Sequence, residues 1–318
     1  MPAVSVLLPA FNAERYVDCS IRSVVDQSFG DWEIVAVDDF SGDSTHSRLQ
    51  GWQDRDPRVR VFANPGNRGM TGNWNVCLSR ASGKYVLKLD ADDVLRPRTL
   101  ELLHSALETG DHVAAAVRTL LCGDDLEPFG APPGDGALIK AGIDPYRDHD
   151  LPAARWMEVA MMGQQPWQSS ALMVPREWLV GSGAFDERFG CVADTELILR
   201  ILRRKGTVAH RAYVGSYYRQ TEGSVSQLYR RRGWLEWEGV ALLLFNFQSL
   251  GGRPLPRAAR LYRVRLWCRW NDRHRSPTFS SDLPSDVRAN LERVVRGLPA
   301  PPLRDRVDAA LRRLVARW

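Results

Sequence analysis

Long apolar runs, paired cysteines and lysines are all scarce in this chain of 318 residues. No apolar run approaches the roughly 18 residues that a membrane-spanning helix needs. The N-terminus passes directly into a strand-like segment without a basic leader, so we expect no signal peptide. The five cysteines are scattered and form no Cys-x-x-Cys pair, which disfavours a zinc ribbon or a disulfide framework. We therefore expect a globular protein of a reducing compartment, the cytoplasm.

Positive charge is concentrated in the last part of the chain. Residues 229–318 contain 19 arginines and 8 acidic residues, whereas residues 1–228 contain 24 basic and 30 acidic residues. Such a basic segment is either a solvated helical surface or a binding surface for an anionic partner, for example an anionic lipid or an acidic protein. The sequence leaves both interpretations open.

Two phosphate-binding motifs are also missing. There is no Gly-x-x-x-x-Gly-Lys-Ser/Thr, and no Gly-x-Gly-x-x-Gly follows the first apolar run. Their absence disfavours P-loop kinases and nicotinamide-dependent dehydrogenases.

The first third of the chain alternates between strand and helix patterns. Strands are predicted at residues 4–8, 32–37, 59–62 and 84–89, and helices at 13–28, 44–52, 70–78 and 98–107. Four alternations with short connections predict a parallel sheet flanked by helices. Ligands of such sheets bind beyond the carboxyl ends of the strands.

Polar residues follow each of these strands. The four groups are Pro9-Ala10-Phe11-Asn12, Asp38-Asp39, Asn67-Arg68-Gly69 and Asp90-Ala91-Asp92-Asp93. Three carboxylates within four residues repel one another and need a cation nearby. Mg²⁺ or Mn²⁺ bridging to a diphosphate suits this pattern, because both ions take oxygen ligands. The alternative is a solvated turn in which Asp92 or Asp93 caps the next helix.

In this order and register, the four groups resemble the nucleotide-sugar-binding half of a family 2 glycosyltransferase with the GT-A fold, over residues 3–107. The resemblance implies an α/β fold with a Rossmann-like, mostly parallel sheet flanked by helices. The nucleotide-sugar contacts that it implies are Pro9, Ala10, Phe11, Asn12, Asp39, Asn67, Arg68, Gly69 and Asp90, and the implied metal ligands are Asp92 and Asp93. The alternatives are a helix cap for Asp39 and a simple turn for Asn67 and Gly69.

The second half also resembles this family, around a predicted helix that ends near Arg204. Asp194, at the start of that helix, matches the position of the family's catalytic base. The resemblance implies that Asp194 deprotonates the acceptor, which attacks the anomeric carbon opposite the diphosphate, so that the sugar is inverted in one displacement. Glu196 is the alternative base, and a helix-capping acid is the structural alternative for Asp194.

Two further groups complete the predicted site. Gln164, Gln165 and Trp167 are predicted acceptor contacts, because amides and an indole suit sugar hydroxyls and ring faces; for Trp167 the alternative is a place in the core. Arg219 and Ser224 are predicted phosphate contacts in the segment that closes over the nucleotide. Thr221 stands where the family often has His, which weakens the case for a further protein ligand to the metal.

The sequence therefore predicts an inverting, metal-dependent glycosyltransferase, with a UDP-sugar as the donor by family habit. A catalytic domain is predicted at residues 1–228, with a nucleotide-sugar half to residue 110 and an acceptor half from 111, before a basic helical extension at 229–318. The acceptor is a glycan, a lipid-linked sugar or a small natural product. No nucleic acid is expected, and the extension contacts the core, a membrane surface or a second copy. The alternative is a non-catalytic nucleotide-sugar-binding or scaffold protein.

Overall fold

The computed structural model describes residues 1–130, 134–161 and 166–220 of the chain. Its strands are β1 (Val4–Ala10), β2 (Trp32–Asp38), β3 (Val59–Ala63), β4 (Tyr85–Lys88), β5 (Val94–Leu95), β6 (His112–Cys122), β7 (His149–Pro152), β8 (Leu172–Pro175) and β9 (Thr207–Arg219). Its helices are α1 (Val17–Val25), α2 (Thr45–Gln53), α3 (Met70–Arg80), α4 (Thr99–Thr109), α5 (Asp135–Lys140), α6 (Ala153–Met161), α7 (Arg176–Gly181) and α8 (Ala193–Ile201). A short 3-10 helix, Ser169–Ala171, precedes β8.

All the strands belong to one sheet, in the order β3-β2-β1-β4-β8-β6-β9-β5, with β7 paired to β9. Strands β1 to β4 pair in parallel, and so do β6 and β9. Strand β8 is antiparallel to both β4 and β6. The carboxyl ends of β1, β2, β3, β4, β6 and β9 therefore meet at one edge of the sheet.

The apolar runs of β1, β2 and β4 are buried because helices cover the sheet on both faces. On one face, α1 contributes Val17, Ile21 and Val24 to the same core as Leu8 and Ile34. Helix α3 packs against β1 and β2 with buried residues of its own. This packing fixes the strand ends, and with them the loops that carry the predicted site.

The predicted α/β fold is confirmed, but the sheet is less parallel than expected. In the described ranges four strand pairs are parallel and four are antiparallel. The antiparallel pairs come from the second half of the chain, where β8 reverses between β4 and β6. The segment at residues 123–150 is rich in Gly, Pro and Asp, a composition that predicts a long loop, but it contains α5 and the start of β7.

By its internal contacts the chain divides into two compact units. The first comprises residues 1–159, 165–187 and 193–221, and the second comprises residues 160–164, 188–192 and 222–318. The predicted boundary at residue 228 and the helical extension at 229–318 lie outside the described residues and stay predictions. No helix of the described ranges is both long and apolar enough to cross a membrane.

Candidate active site

Asp39 organises the loop ends next to β1 and β2. Its side chain is buried, with the residue 2% exposed. Asp39 Oδ1 accepts hydrogen bonds from Asn64 Nδ2 at 2.7 Å and from the backbone N–H of Arg68 at 2.9 Å. The Asn67 side chain donates to the Asp39 carbonyl oxygen at 3.2 Å. The structure therefore brings Asp39, Asn67 and Arg68 together, as predicted, and leaves Asp39 Oδ2 without a hydrogen bond from the described residues.

Two buried asparagines that the sequence analysis missed support Asp39. The Asn64 Nδ2 that bonds Asp39 also lies 3.0 Å from Asn73 Oδ1, and Asn73 donates to the carbonyl of Val37 at 3.0 Å. These bonds connect the end of β3, the start of α3 and strand β2. The sequence signal was the position of Asn64 directly after the third apolar run, before Pro65.

Two exposed aromatic rings flank this polar group. Phe11 is 51% exposed and Phe40 is 63% exposed. Asn12 and Phe40 have φ angles of 48° and 64°, which are unusual for residues other than glycine and occur often at functional sites. The backbone N–H of Asn12 donates to Ser41 Oγ at 2.9 Å, so the loops after β1 and β2 are joined. Phe40 was not among the predicted contacts.

Residues 90–93, here called the acidic turn, follow β4 and are hydrogen-bonded to Ser20 of α1. The Ser20 hydroxyl lies 2.8 Å from the carbonyl of Ala91 and 2.7 Å from that of Asp93. The backbone N–H of Asp93 donates to the carbonyl of Asp90 at 3.0 Å, which closes the turn. The three carboxylates are therefore presented by a fixed backbone.

Within the acidic turn, Asp90 pairs with Lys88, whereas Asp92 and Asp93 make no salt bridge in the described ranges. Asp93 is 1% exposed; its Oδ1 accepts from the backbone N–H of Arg219 at 3.1 Å, while Oδ2 is buried without a hydrogen bond in the described residues. Burial and the Asp92 and Asp90 carboxylates raise the pKa of Asp93 well above its usual range. Burial and the Asp90 carboxylate raise the pKa of Asp92 to about 6. A bound cation would lower both pKa values.

The residues present fit a divalent ion only in part. Within the described ranges, no group of three or more His, Cys, Asp or Glu side chains is arranged to hold a metal. Asp92, which is partly buried, and Asp93, with its unpaired buried oxygen, supply one or two carboxylate ligands. This is the usual protein share of a Mg²⁺ site in which substrate phosphates and water complete the coordination.

Arg219 braces the acidic turn from β9. Its Nε donates to the carbonyl of Asp92 at 2.8 Å, and Nη1 donates to the carbonyls of Gly123 and Asp124. The guanidinium also lies 4.7 Å from the centroid of the Tyr16 ring. These contacts connect the turn to the loop after β6; contact with a phosphate stays a prediction, and Ser224 lies outside the described residues.

Asp194 is the second residue of α8. The backbone N–H of Thr195 donates to Asp194 Oδ1 at 2.6 Å. Asp194 lines a small, mostly apolar cavity beside β4 and the start of β8, together with Lys88, Ser169 and buried residues of the core. Lys88 is not among the predicted site residues.

Of the three predicted acceptor contacts, Trp167 lies among the described residues. Trp167 is 3% exposed, its indole N–H lies 3.1 Å from His210 Nδ1, and its ring centroid lies 4.6 Å from that of Trp156. The ring is thus buried in the core, which was the alternative to an acceptor contact, and the acceptor role stays a prediction. Gln164 and Gln165 lie outside the described residues, so their role stays a prediction too.

Comparison with known proteins gives a family match over the part of the chain that carries Asp39 and the acidic turn. Residues 5–146 match the model of the family described as Glycosyl transferase family 2. An uncharacterized glycosyltransferase of Haemophilus influenzae is 39% identical over 114 residues, which are 36% of this chain and 35% of that protein. The GalNAc(5)-diNAcBac-PP-undecaprenol beta-1,3-glucosyltransferase of Campylobacter jejuni is 41% identical over 110 residues, 34% of this chain and 33% of that protein.

These curated relatives are matched over about a third of their own length. Among solved structures, S. aureus TarS 1-349 in complex with UDP-GlcNAc has a TM-score of 0.66 and 17% identity, and the alignment covers 93% of this chain and 81% of that one. At this identity the similarity concerns the fold.

Proposed function

We propose that this chain, whose residues 5–146 match the model of glycosyl transferase family 2, transfers a sugar from a nucleoside diphosphate sugar to an acceptor nucleophile, with inversion at the anomeric carbon. The observation that carries the proposal is the shared sheet edge. Asp39 follows β2 and the acidic turn follows β4, on either side of β1. Strands two places apart are separated by about 10 Å, a length that a nucleotide can span from base to diphosphate.

Each part of the donor meets a group of matching chemistry. The free Oδ2 of Asp39 can accept an N–H of the base, and the exposed Phe11 and Phe40 rings can stack on it. Asp90 accepts hydroxyl hydrogen bonds from the ribose or the sugar. Arg68, which is exposed, supplies positive charge to the nucleotide.

A divalent ion belongs to the proposal, with Asp92 as its ligand and Asp93 as a second. When bound, Mg²⁺ or Mn²⁺ offsets the negative charge of the diphosphate that leaves. The chain's own residues do the rest: Asp194 takes the proton of the acceptor, and the strand ends hold the donor with its diphosphate on the side away from the acceptor.

A UDP-sugar is the proposed donor, and a lipid-linked sugar is the proposed acceptor. The TarS structure that shares this fold was solved with UDP-GlcNAc, and the C. jejuni relative is named for an undecaprenol diphosphate-linked acceptor. The basic segment at residues 229–318 suits an enzyme that meets such an acceptor at an anionic membrane surface.

The first test is calorimetric titration of UDP, GDP and dTDP into the protein, with Mn²⁺ and then with EDTA. We expect UDP to bind with Mn²⁺, and EDTA or Asp92→Ala to abolish binding. Asp31→Ala is the matched control, because Asp31 is exposed at the opposite edge of the sheet, before β2. Failure of all three nucleotides to bind would refute the proposal.

A non-catalytic nucleotide-sugar-binding protein would pass this binding test. The two functions separate when UDP release is measured from UDP-glucose and UDP-GlcNAc, with and without undecaprenyl diphosphate-linked sugars. A transferase releases UDP faster when its acceptor is present. Tight binding without UDP release from any donor and acceptor pair would favour the non-catalytic function.

A further inference from the structure

Lys88 is a buried cation at the end of β4, two residues before the first carboxylate of the acidic turn. Its side chain is 4% exposed, and it lies between Leu87 and Leu89, which are fully buried. Its Nζ donates to Asp90 Oδ1 at 2.5 Å and lies 4.1 Å from the centroid of the Trp74 ring. In the described part of the chain, the Lys88 ammonium group therefore contacts the Asp90 carboxylate and the face of the Trp74 ring.

Lysine is an expensive residue at this position if stability alone is considered. Strands covered on both faces usually carry apolar residues, and moving an ammonium group out of water has a large desolvation cost. The Asp90 ion pair and the Trp74 ring offset part of that cost. An apolar side chain would avoid it, so the buried cation indicates a role other than core packing.

Asp90 is the group through which Lys88 reaches the donor side of the site. The Asp90 side chain is 33% exposed, and Lys88 is the only described residue that donates a hydrogen bond to its carboxylate. One oxygen is therefore held, and Oδ2 has no hydrogen bond from the described residues. Without Lys88, repulsion from Asp92 and Asp93 would turn the Asp90 carboxylate away from them.

The same lysine borders the space in front of the candidate base. Lys88 and Asp194 line one small cavity, together with the start of β8. The Lys88 ammonium group therefore contacts the Asp90 carboxylate, and the Lys88 side chain also borders the small cavity that Asp194 lines. A change at this position can alter the donor geometry without removing any group that contacts the donor.

We propose that Lys88 is a positioning residue for sugar transfer. Its ammonium group holds the Asp90 carboxylate in the orientation that accepts a hydroxyl of the donor, and its effect on transfer passes through Asp90. This inference rests on the proposed function of the site, which it deepens by assigning a role to a residue outside the family motifs.

Lys88→Met removes the charge and retains an unbranched side chain, whereas Lys88→Arg retains the charge. Lys84→Met is the matched control, because Lys84 lies just before the same strand and makes an exposed 2.5 Å salt bridge to Glu108. We expect Lys88→Met to fold, to lose at least tenfold in kcat/KM with UDP-glucose or UDP-GlcNAc, and Lys88→Arg to recover much of that loss. Lys84→Met should equal the wild type. If Lys88→Met does not fold, Lys88→Gln, which also removes the charge, takes its place in each test.

A double-mutant cycle decides whether Lys88 acts through Asp90. We expect Lys88→Met combined with Asp90→Asn to lose no more kcat/KM than Asp90→Asn alone. Losses that multiply would overturn the proposal, because they would mean that Lys88 acts independently of Asp90. Equal activity of Lys88→Met and wild type would also overturn it.

Binding measurements separate this proposal from the function on which it rests. UDP binding by the wild type tests the function. Mn²⁺ titration without nucleotide tests the role of Lys88. Because Lys88→Met removes a cation beside the acidic turn, the variant should bind Mn²⁺ severalfold more tightly. A general loosening of the site would instead weaken Mn²⁺ binding. Unchanged or weaker Mn²⁺ binding would overturn the role of Lys88 even if the wild type binds UDP.

Discussion

Two acidic residues near the start of α8 are candidates for the catalytic base, and their contacts distinguish them. Asp194 lines the cavity beside β4. Glu196 is 3% exposed, and Arg200 donates to both of its oxygens, at 3.2 and 2.7 Å. A base must reach the acceptor and take its proton. A buried carboxylate held by an arginine is poorly suited to that task, so the geometry favours Asp194.

Asp194→Asn should lower kcat by about 10²- to 10⁴-fold, the usual contribution of a general base. The affinity for UDP should stay the same, because the amide retains the shape of the carboxylate and Asp194 is not among the proposed nucleotide contacts. Steady-state kinetics and calorimetric UDP titration measure the two effects. Glu196→Gln is the control: it should lower the melting temperature, because it breaks a buried ion pair, with little change in kcat. A loss of UDP affinity in Asp194→Asn would instead indicate a structural role.

Phe40 combines an exposed ring with a backbone conformation that disfavours it. Phe40→Gly should weaken UDP binding by about 5- to 150-fold if the ring stacks on the base, because such stacking contributes about 1–3 kcal/mol. The melting temperature should not fall, because glycine adopts the φ of 64° without a Cβ clash. Phe129→Ala, which removes a ring that is 47% exposed, controls for the loss of an exposed aromatic. Unchanged UDP affinity in Phe40→Gly would exclude stacking.

Strands β1 and β2 are joined at their amino ends by Glu33. Its Oε1 accepts from Ser5 Oγ at 2.6 Å and from the Ser82 backbone N–H at 2.7 Å, and its Oε2 accepts from Arg60 at 2.6 Å. Burial alone would raise the pKa of Glu33, but these donors outweigh it and lower the pKa below its usual value of 4.5. Glu33 therefore links three segments at the edge opposite the site.

Glu33→Gln should reduce the free energy of unfolding by about 2–3 kcal/mol at neutral pH, because the charge-assisted hydrogen bonds weaken. A lowered pKa gives stability that is present above pH 4.5 and lost as the pH falls through the folded-state pKa. The wild type should thus lose more stability than the variant between about pH 5 and pH 3. Urea unfolding at several pH values measures this, with Glu177→Gln at an exposed position of α7 as the control. Parallel pH profiles for the wild type and Glu33→Gln would contradict the assignment.

The sequence predicts well those elements that can be identified from the apolar pattern of their own residues. Strands β1 to β4 are continuous apolar runs, so their positions follow from burial. In contrast, β5 has two residues and β7 has four, and each exists because it pairs with β9. Helix α5 is held by the salt bridge between Asp135 and Arg118 of β6, at 2.6 Å. Such long-range partners leave no local signal.

The same distinction applies to the site. Asp39 and the acidic turn follow predicted strands, so their convergence could be predicted from the order of the elements. The roles of Asn64, Asn73 and Lys88 depend on partners that only the folded chain brings near. For Trp167 the sequence leaves a sugar contact and a place in the core open, because an indole suits a sugar face and a protein core equally well; the folded chain buries the ring.

At the scale of the whole chain, charge is divided between two parts. Residues 1–228 have a net charge of −6 and residues 229–318 have a net charge of +11. Residues 1–228 alone would be repelled by an anionic membrane, whereas each arginine close to such a surface contributes about 1 kcal/mol of attraction. If the acceptor is lipid-linked, the basic segment is the part of the chain suited to bring the site to it.

The full chain should therefore bind vesicles that contain phosphatidylglycerol and release them at 0.5 M salt, because salt screens this attraction. Vesicles of phosphatidylcholine alone should not bind. Arg312→Glu with Arg313→Glu reverses two charges in the basic segment and should weaken binding by about tenfold or more. Arg98→Glu with Arg147→Glu is the control on exposed side chains of residues 1–228 and should change binding less. Co-sedimentation measures binding in each of these cases. Equal binding to both lipids would contradict electrostatic attraction, and the basic segment would then be a solvated or core-packing surface.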